Sequence, residues 1–213
     1  QINKYHDNSF YKNEKIPKLI AVSKQQNLDK VIEALESGQR LFGENRVQEA
    51  EKRWMNLVND YKNIELHMIG PLQKNKVKKA LQIFDFIHSI DRESLAHEIY
   101  KYYNHNSRTK EFFIQVNTGL EKQKSGIISG NLEKFLTLCI KKLNLPIKGL
   151  MCIPPINENA SIHFCFLKKL STKFKLKNLS MGMSADYDQA IKFGSNYLRI
   201  GTGFFGERNY HKK

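Results

Sequence analysis

The stretch KLIAVSKQQNLDKVIEALESG, running from Lys18 to Gly38, decides the fold. Its first part, Lys18–Ser23, is a short apolar run holding Ile20 and Val22, and it reads as a buried strand. Asn27 then stands where a helix needs its N-cap. Leu28, Val31, Ile32 and Leu35 recur at helical spacing, and Gly38 supplies the stop. A strand and a helix with their ends marked make one βα unit.

Working outward from this unit, the pattern recurs along the whole chain. Strand-like runs fall at Arg40–Gly43, Ile64–Ile69, Phe86–Ile90, Phe112–Asn117, Ile147–Ile153, Leu179–Gly182 and Tyr197–Gly201. Amphipathic segments separate them. Leu95, Ile99 and Tyr102 share one face; Leu132, Phe135, Leu136, Cys139 and Leu143 share another; Ile162, Phe166, Leu167 and Leu170 follow, then Ala190 and Ile191. About eight strands close a (β/α) barrel, whereas an open doubly wound sheet usually has fewer. The expected fold class is therefore α/β, a single (β/α)8 TIM-type barrel. No composition break, linker or low-complexity tract divides residues 1–213, so one domain is expected.

Composition narrows the function. With 40% hydrophobic and 26% charged residues the chain is an ordinary globular one. No run approaches the roughly 20 apolar residues of a membrane span, and Gln1–Lys15 lacks the apolar core of a signal peptide. A cytoplasmic protein without membrane attachment is expected. Cys139, Cys152 and Cys165 form no CxxC pair, which indicates neither a disulfide framework nor a zinc site. The net charge of +14 raises nucleic acid as a partner, but the lysines are spread along the chain rather than gathered. The densest cluster, Lys74, Lys76, Lys78 and Lys79, reads as the wet face of a helix whose buried side is Leu72, Val77, Ala80 and Leu81. A basic surface still attracts an anionic ligand.

In such barrels the chemistry sits where strands end. That rule selects Lys24, the Gly43-Glu44-Asn45 turn, Gly70, Asp91, Asn117, Ser180–Ser184 and Gly201-Thr202. Lys24 closes the first strand on the face of Ile20 and Val22, where a low dielectric favours the neutral amine that Schiff-base chemistry needs. Position alone favours a lysine that snorkels to solvent at the strand end. The runs Leu179–Ser184 and Leu198–Gly203 carry small hydroxyl residues and glycines at consecutive loops, with Ser184 expected as an N-cap. Phosphate binding after the seventh and eighth strands is a recurrent barrel device. Arg199, inside a strand, needs a partner: a ligand ring nitrogen or a buried carboxylate if it faces the ligand end, or else an outward-facing salt bridge.

With these residues assembled, the sequence resembles the pyridoxal phosphate (PLP) homeostasis proteins, themselves similar to the N-terminal barrel of alanine racemase, a PLP fold type III barrel. The resemblance rests on LIAVSK (Leu19–Lys24), FGENRVQE (Phe42–Glu49), HMIGPLQKNKV (His67–Val77), HSIDR (His88–Arg92), VNTGLEKQKSG (Val116–Gly126), GLMCIP (Gly149–Pro154), LSMGMS (Leu179–Ser184) and RIGTGFFG (Arg199–Gly206). It implies that PLP is the cofactor, held as a Schiff base on Lys24. It implies a phosphate cup of Ser184, Gly201 and Thr202, with Ser180 and Met181 lining the same wall. It also implies that Arg199 faces the pyridine nitrogen, that Asn45 lies near the cofactor and that His67 and Ile69 fall on an inner strand.

An arginine facing that nitrogen weakens the ring as an electron sink. Two-base racemisation needs a second acid–base group, which racemases take from a C-terminal β-domain that this barrel is expected to lack. The function implied is intracellular PLP homeostasis, as a carrier or regulator rather than an enzyme with robust turnover. A weak PLP-dependent amino-acid racemase is the alternative. PLP-dependent client enzymes are the partners implied, for a monomer, with neither membrane nor nucleic acid. Lys124, in EKQKSG, is read as a transient docking point for PLP or as a solvated loop lysine. The segment before Pro17 looks like a polar remnant of a longer family helix.

Overall fold

The computed structural model describes residues 1–12 and 15–207. Eight parallel strands alternate with eight helical segments. The strands are β1 (Lys18–Val22), β2 (Leu41–Glu44), β3 (Glu65–Met68), β4 (Phe86–Ile90), β5 (Glu111–Asn117), β6 (Ile147–Met151), β7 (Asn178–Met183) and β8 (Tyr197–Ile200). Each lies within two residues of its sequence-predicted run at both ends. Consecutive strands pair in parallel, and β8 returns to β1 with Lys18 opposite Tyr197 and Ile20 opposite Arg199. The sheet is thus a closed barrel. A two-residue strand, Ile127–Ile128, adds to the end of β5.

Before the barrel stands α1 (Ile2–Asp7). The connecting helices are α2 (Leu28–Glu36), α3 (Val47–Asp60), α4 (Val77–Ile83), α5 (Glu93–Tyr102), α6 (Leu132–Leu136), α7 (Ala160–Lys173), α8 (Tyr187–Lys192) and α9 (Thr202–Phe205). They follow β1 to β8 in order. Val77, Ala80 and Leu81 are buried on α4 while Lys74 and Lys78 are exposed, as the periodicity predicts.

Two expectations change here. On α7 the buried face is His163, Phe164, Leu167 and Ser171, and Ile162 is exposed. The apolar residues Ile162 and Phe166 drew the predicted stripe one position too far round. The segment before Pro17 is also more than a polar remnant: α1 packs on α8, Tyr5 meeting Tyr187 edge-on at 5.8 Å.

Strand alternation divides the core in two. The large apolar shell between sheet and helices takes Ala21, Phe42, Leu66, Leu150, Met181 and Leu198. Inside the barrel, Ile20, Phe86, Phe113, Met151 and Tyr197 form a smaller plug. Above that plug the interior becomes polar, and there the site begins.

Candidate functional site

The interior polar residues come from four strands. His67 on β3 lies with its ring stacked on Phe86 (centroids 4.6 Å, planes 9° apart), and His88 on β4 stacks the same way on Phe113 at 4.3 Å. His67 Nδ1 and His88 Nε2 are 3.0 Å apart, and His88 Nδ1 lies 2.8 Å from Ser180 Oγ on β7. Arg199 on β8 donates from Nη1 to the same oxygen at 2.7 Å and from Nη2 to the Cys152 carbonyl at 2.8 Å. All four residues are buried. Burial pushes the imidazoles toward the neutral form: His67 is lowered to about 3, and His88 well below the ordinary value, with the charge of Arg199 adding to the effect on His88. Burial likewise raises the Cys152 thiol to about 12, which makes it no nucleophile.

Arg199 faces inward, which settles the choice left open by its strand position. Among the described residues no carboxylate makes an ion pair with it, although the charge of Asp186 acts on it from a distance. The guanidinium carries five N–H groups, and the two bonds above leave others for a ligand.

The opposite wall is built by a charged knot outside β2. Glu44 follows Gly43, whose place opposite His67 in the register is inward, so its own side chain turns outward. It is fully buried, and one carboxylate oxygen accepts from Ser23 Oγ (2.8 Å), Trp54 Nε1 (3.1 Å) and the Arg53 guanidinium. Arg53 also donates to the carbonyls of Ser23 at 2.7 Å and Gln26 at 2.8 Å. Those bonds clamp both ends of the Ser23–Gln26 turn, which carries Lys24. Ile20 points into the barrel and Val22 lies beside Gly201, so the same alternation sets half-buried Lys24 at the mouth.

The two loops read as a phosphate cup come together. Ser184 Oγ accepts the Gly203 N–H at 3.1 Å, joining the β7 loop to the first turn of α9, whose N-cap is Gly201. Thr202 is exposed in that turn. Contrary to the expectation from sequence, Ser184 does not cap α8; that helix starts at Tyr187 with Asp186 in the N-cap place, and the Asp186 carboxylate accepts the Met183 N–H at 2.6 Å. Met181 also departs from expectation. Ser180 points inward, so its neighbour Met181 points outward into the apolar shell, and only Ser180 lines the wall. Gly182, at φ +94°, turns the chain between them and Ser184.

At the rim, Asn45 lies against Gly70, where a Cβ would sit 2.4 Å from the Asn45 carbonyl oxygen. Only glycine permits that approach. A cleft of about 280 Å³ opens there, lined by Asn45, Ile69, Gly70, Asn117, Lys124 and Ile153. Lys124 pairs with Glu121 at 2.7 Å and donates to the Pro154 carbonyl at 3.2 Å. His67 lies below this level: Ile69, two residues on and just past the end of β3, is the residue that reaches the cleft. His88 was not singled out from sequence, yet it links His67 to Ser180. The signal was present, because Phe86 and His88 alternate in FIHSI just as Tyr197 and Arg199 do in YLRI.

Comparison with known proteins adds to this geometry. Residues 9–209 match the family model described as "Alanine racemase, N-terminal domain". The "Pyridoxal phosphate homeostasis protein" of Vibrio cholerae is 39% identical over 204 residues, 91% of this chain and 86% of its own length. That of Aquifex aeolicus is 38% identical over 206 residues, 92% of this chain and 90% of its own. Among solved structures, PipY of Synechococcus elongatus "with PLP bound" superposes with a TM-score of 0.82 at 32% identity, covering 97% of this chain and all of that one. Alanine racemase of Corynebacterium glutamicum shares the fold, with a TM-score of 0.66 at 16% identity over 92% of this chain and 57% of its own.

Proposed function

The chain belongs to the pyridoxal phosphate homeostasis proteins of the alanine racemase N-terminal family, and on that premise we propose that it binds PLP at the barrel mouth as an intracellular carrier or regulator of the cofactor. The observation that carries the reading is Arg199: a buried guanidinium inside the barrel with spare N–H groups and no carboxylate paired to it among the described residues. A ligand acceptor at that point satisfies it. The ring of PLP supplies an aldehyde for covalent capture, a phosphate and a ring nitrogen.

The residues fit those three groups. Lys24, on its clamped turn, supplies the amine that holds the aldehyde. Ser184, Gly201 and Thr202 supply a hydroxyl and first-turn N–H groups to the phosphate. Arg199 donates to the ring nitrogen and, by its own high proton affinity, keeps that nitrogen unprotonated. Asn45, pinned by Gly70, borders the ligand, and Ser180 fixes Arg199 from below. The third contact disfavours transamination and similar carbanion chemistry, because an unprotonated ring is a weaker electron sink. Client enzymes that receive PLP, a monomeric state and a cytoplasmic location belong to the same reading. No helix among the described residues is long and apolar enough to cross a membrane.

Visible absorption during titration with PLP tests this. The protein is expected to develop a band above the absorbance of free PLP that borohydride abolishes, and Lys24→Ala is expected to show none. A parent protein that stays colourless under excess PLP would overturn the reading. Exchange of the alanine α-proton in deuterated water by the loaded protein would move it toward the racemase alternative.

A further inference from the structure

The bonds among four buried side chains have a direction, and it follows from counting protons. Arg199 can only donate, so Ser180 Oγ is an acceptor from it at 2.7 Å. The hydroxyl must spend its single proton elsewhere, and His88 Nδ1 stands 2.8 Å away. His88 therefore accepts at Nδ1, and a neutral imidazole that accepts at Nδ1 carries its proton on Nε2. That proton points at His67 Nδ1, 3.0 Å away. His67 in turn carries its proton on Nε2, an atom that is buried without a hydrogen-bond partner. Buried orphans in a folded protein call for an explanation. Here the orphan is the tail of a chain whose head is the guanidinium.

We infer that Ser180, His88 and His67 form a one-way chain of hydrogen bonds that aims Arg199 at the ligand ring, with both imidazoles in the Nε2–H form. This rests on the reading of Arg199 as the partner of the ring nitrogen. The reverse direction would give Ser180 Oγ two donors, Arg199 and His88, and leave its own proton with no acceptor among its bonds. Stacking on Phe86 and on Phe113 fixes the plane of each ring separately. Burial keeps both uncharged, so the guanidinium remains the single positive charge of the chain. Ser180 and His88 are then positioning residues: they touch Arg199 directly or through one bond.

The test reads tautomers and ligand electronics separately. In protein labelled with 15N-histidine and free of ligand, His88 and His67 are expected as neutral Nε2–H tautomers across roughly pH 5–8. In protein loaded with 15N-PLP, the pyridine nitrogen is expected at its unprotonated shift. Ser180→Ala and His88→Leu are expected to move that shift toward the protonated value and weaken PLP binding about five-fold, the effect of losing one net hydrogen bond. His88→Asn, whose amide oxygen can replace Nδ1 as acceptor, is expected to restore both. An Nδ1–H tautomer at His88 would overturn the direction. Correct tautomers with an unmoved nitrogen shift in Ser180→Ala would overturn the positioning role. A parent protein that takes up no PLP would bring down the function reading and the target of Arg199 together, while the tautomers would still judge the chain by themselves.

Discussion

Two arginines shielded from water, one on each side of the sheet, are treated in opposite ways. Outside β2, Arg53 meets the buried Glu44 carboxylate and two backbone carbonyls, and the ion pair locks the turn that carries Lys24. Inside β8, Arg199 meets one hydroxyl and one carbonyl, both neutral. Moving a charge into a low-dielectric interior is costly, and a partner of opposite sign offsets part of that cost. The fold supplies that partner to Arg53 and, among the described residues, supplies none to Arg199, the residue proposed to meet the ligand. On the proposed reading, stability and ligand recognition fall to different arginines.

The contrast breaks most visibly at Glu44. Glu44→Gln leaves Arg53 charged and unpaired, and a buried pair broken on one side costs about 3 kcal/mol, a fall of roughly 10 °C in melting temperature. Calorimetry of the unloaded protein measures it. Arg199→Met is expected to cost less, about 1–2 kcal/mol, because it strands a hydroxyl and a carbonyl but no carboxylate. Its main effect falls on PLP, with affinity down more than about ten-fold, as for a charge-assisted bond worth 1.5–3 kcal/mol. Equal melting temperatures for the two variants would erase the distinction between them.

The pH dependence sharpens the same comparison. A histidine whose pKa is depressed on folding is neutral in the native state and takes up its proton when the chain unfolds. Stability then falls as pH drops below the unfolded value near 6.5, and continues to fall until the native pKa, about 3 for His67, is reached. The slope is about 1.4 kcal/mol per pH unit for each such histidine. His67→Phe is expected to flatten that slope in urea titrations between roughly pH 4 and 6, and an unchanged slope would mean that the ring is not held neutral. The smallest effect belongs to the exposed pair Lys79–Glu51, N···O 2.6 Å. Glu51→Ala should change stability by less than about 1 kcal/mol and leave PLP binding untouched.

The strands were legible because short apolar runs alternate with segments of helical periodicity along the chain, from Lys18–Gly38 onward. The inner wall was less so, and for identifiable reasons. Met181 and Ser180 are adjacent and were read as one wall, although a strand sends neighbours to opposite faces. Ser184 has the chemistry of a helix cap and equally of a loop acceptor, and the aspartate two residues later decided between them. Glu44 falls in a mouth motif, but the inward place of Gly43 turns it outside. His88 was given no role, since nothing in FIHSI alone says that Ser180, ninety-two residues on, will meet its ring.

The most direct test of the account is to load the protein with PLP, reduce it with borohydride, and map the modified peptide by mass spectrometry. The account predicts one added phosphopyridoxyl group per chain, on Lys24. Modification spread over surface lysines, or concentrated on Lys124 with Lys24 unmodified, would contradict it.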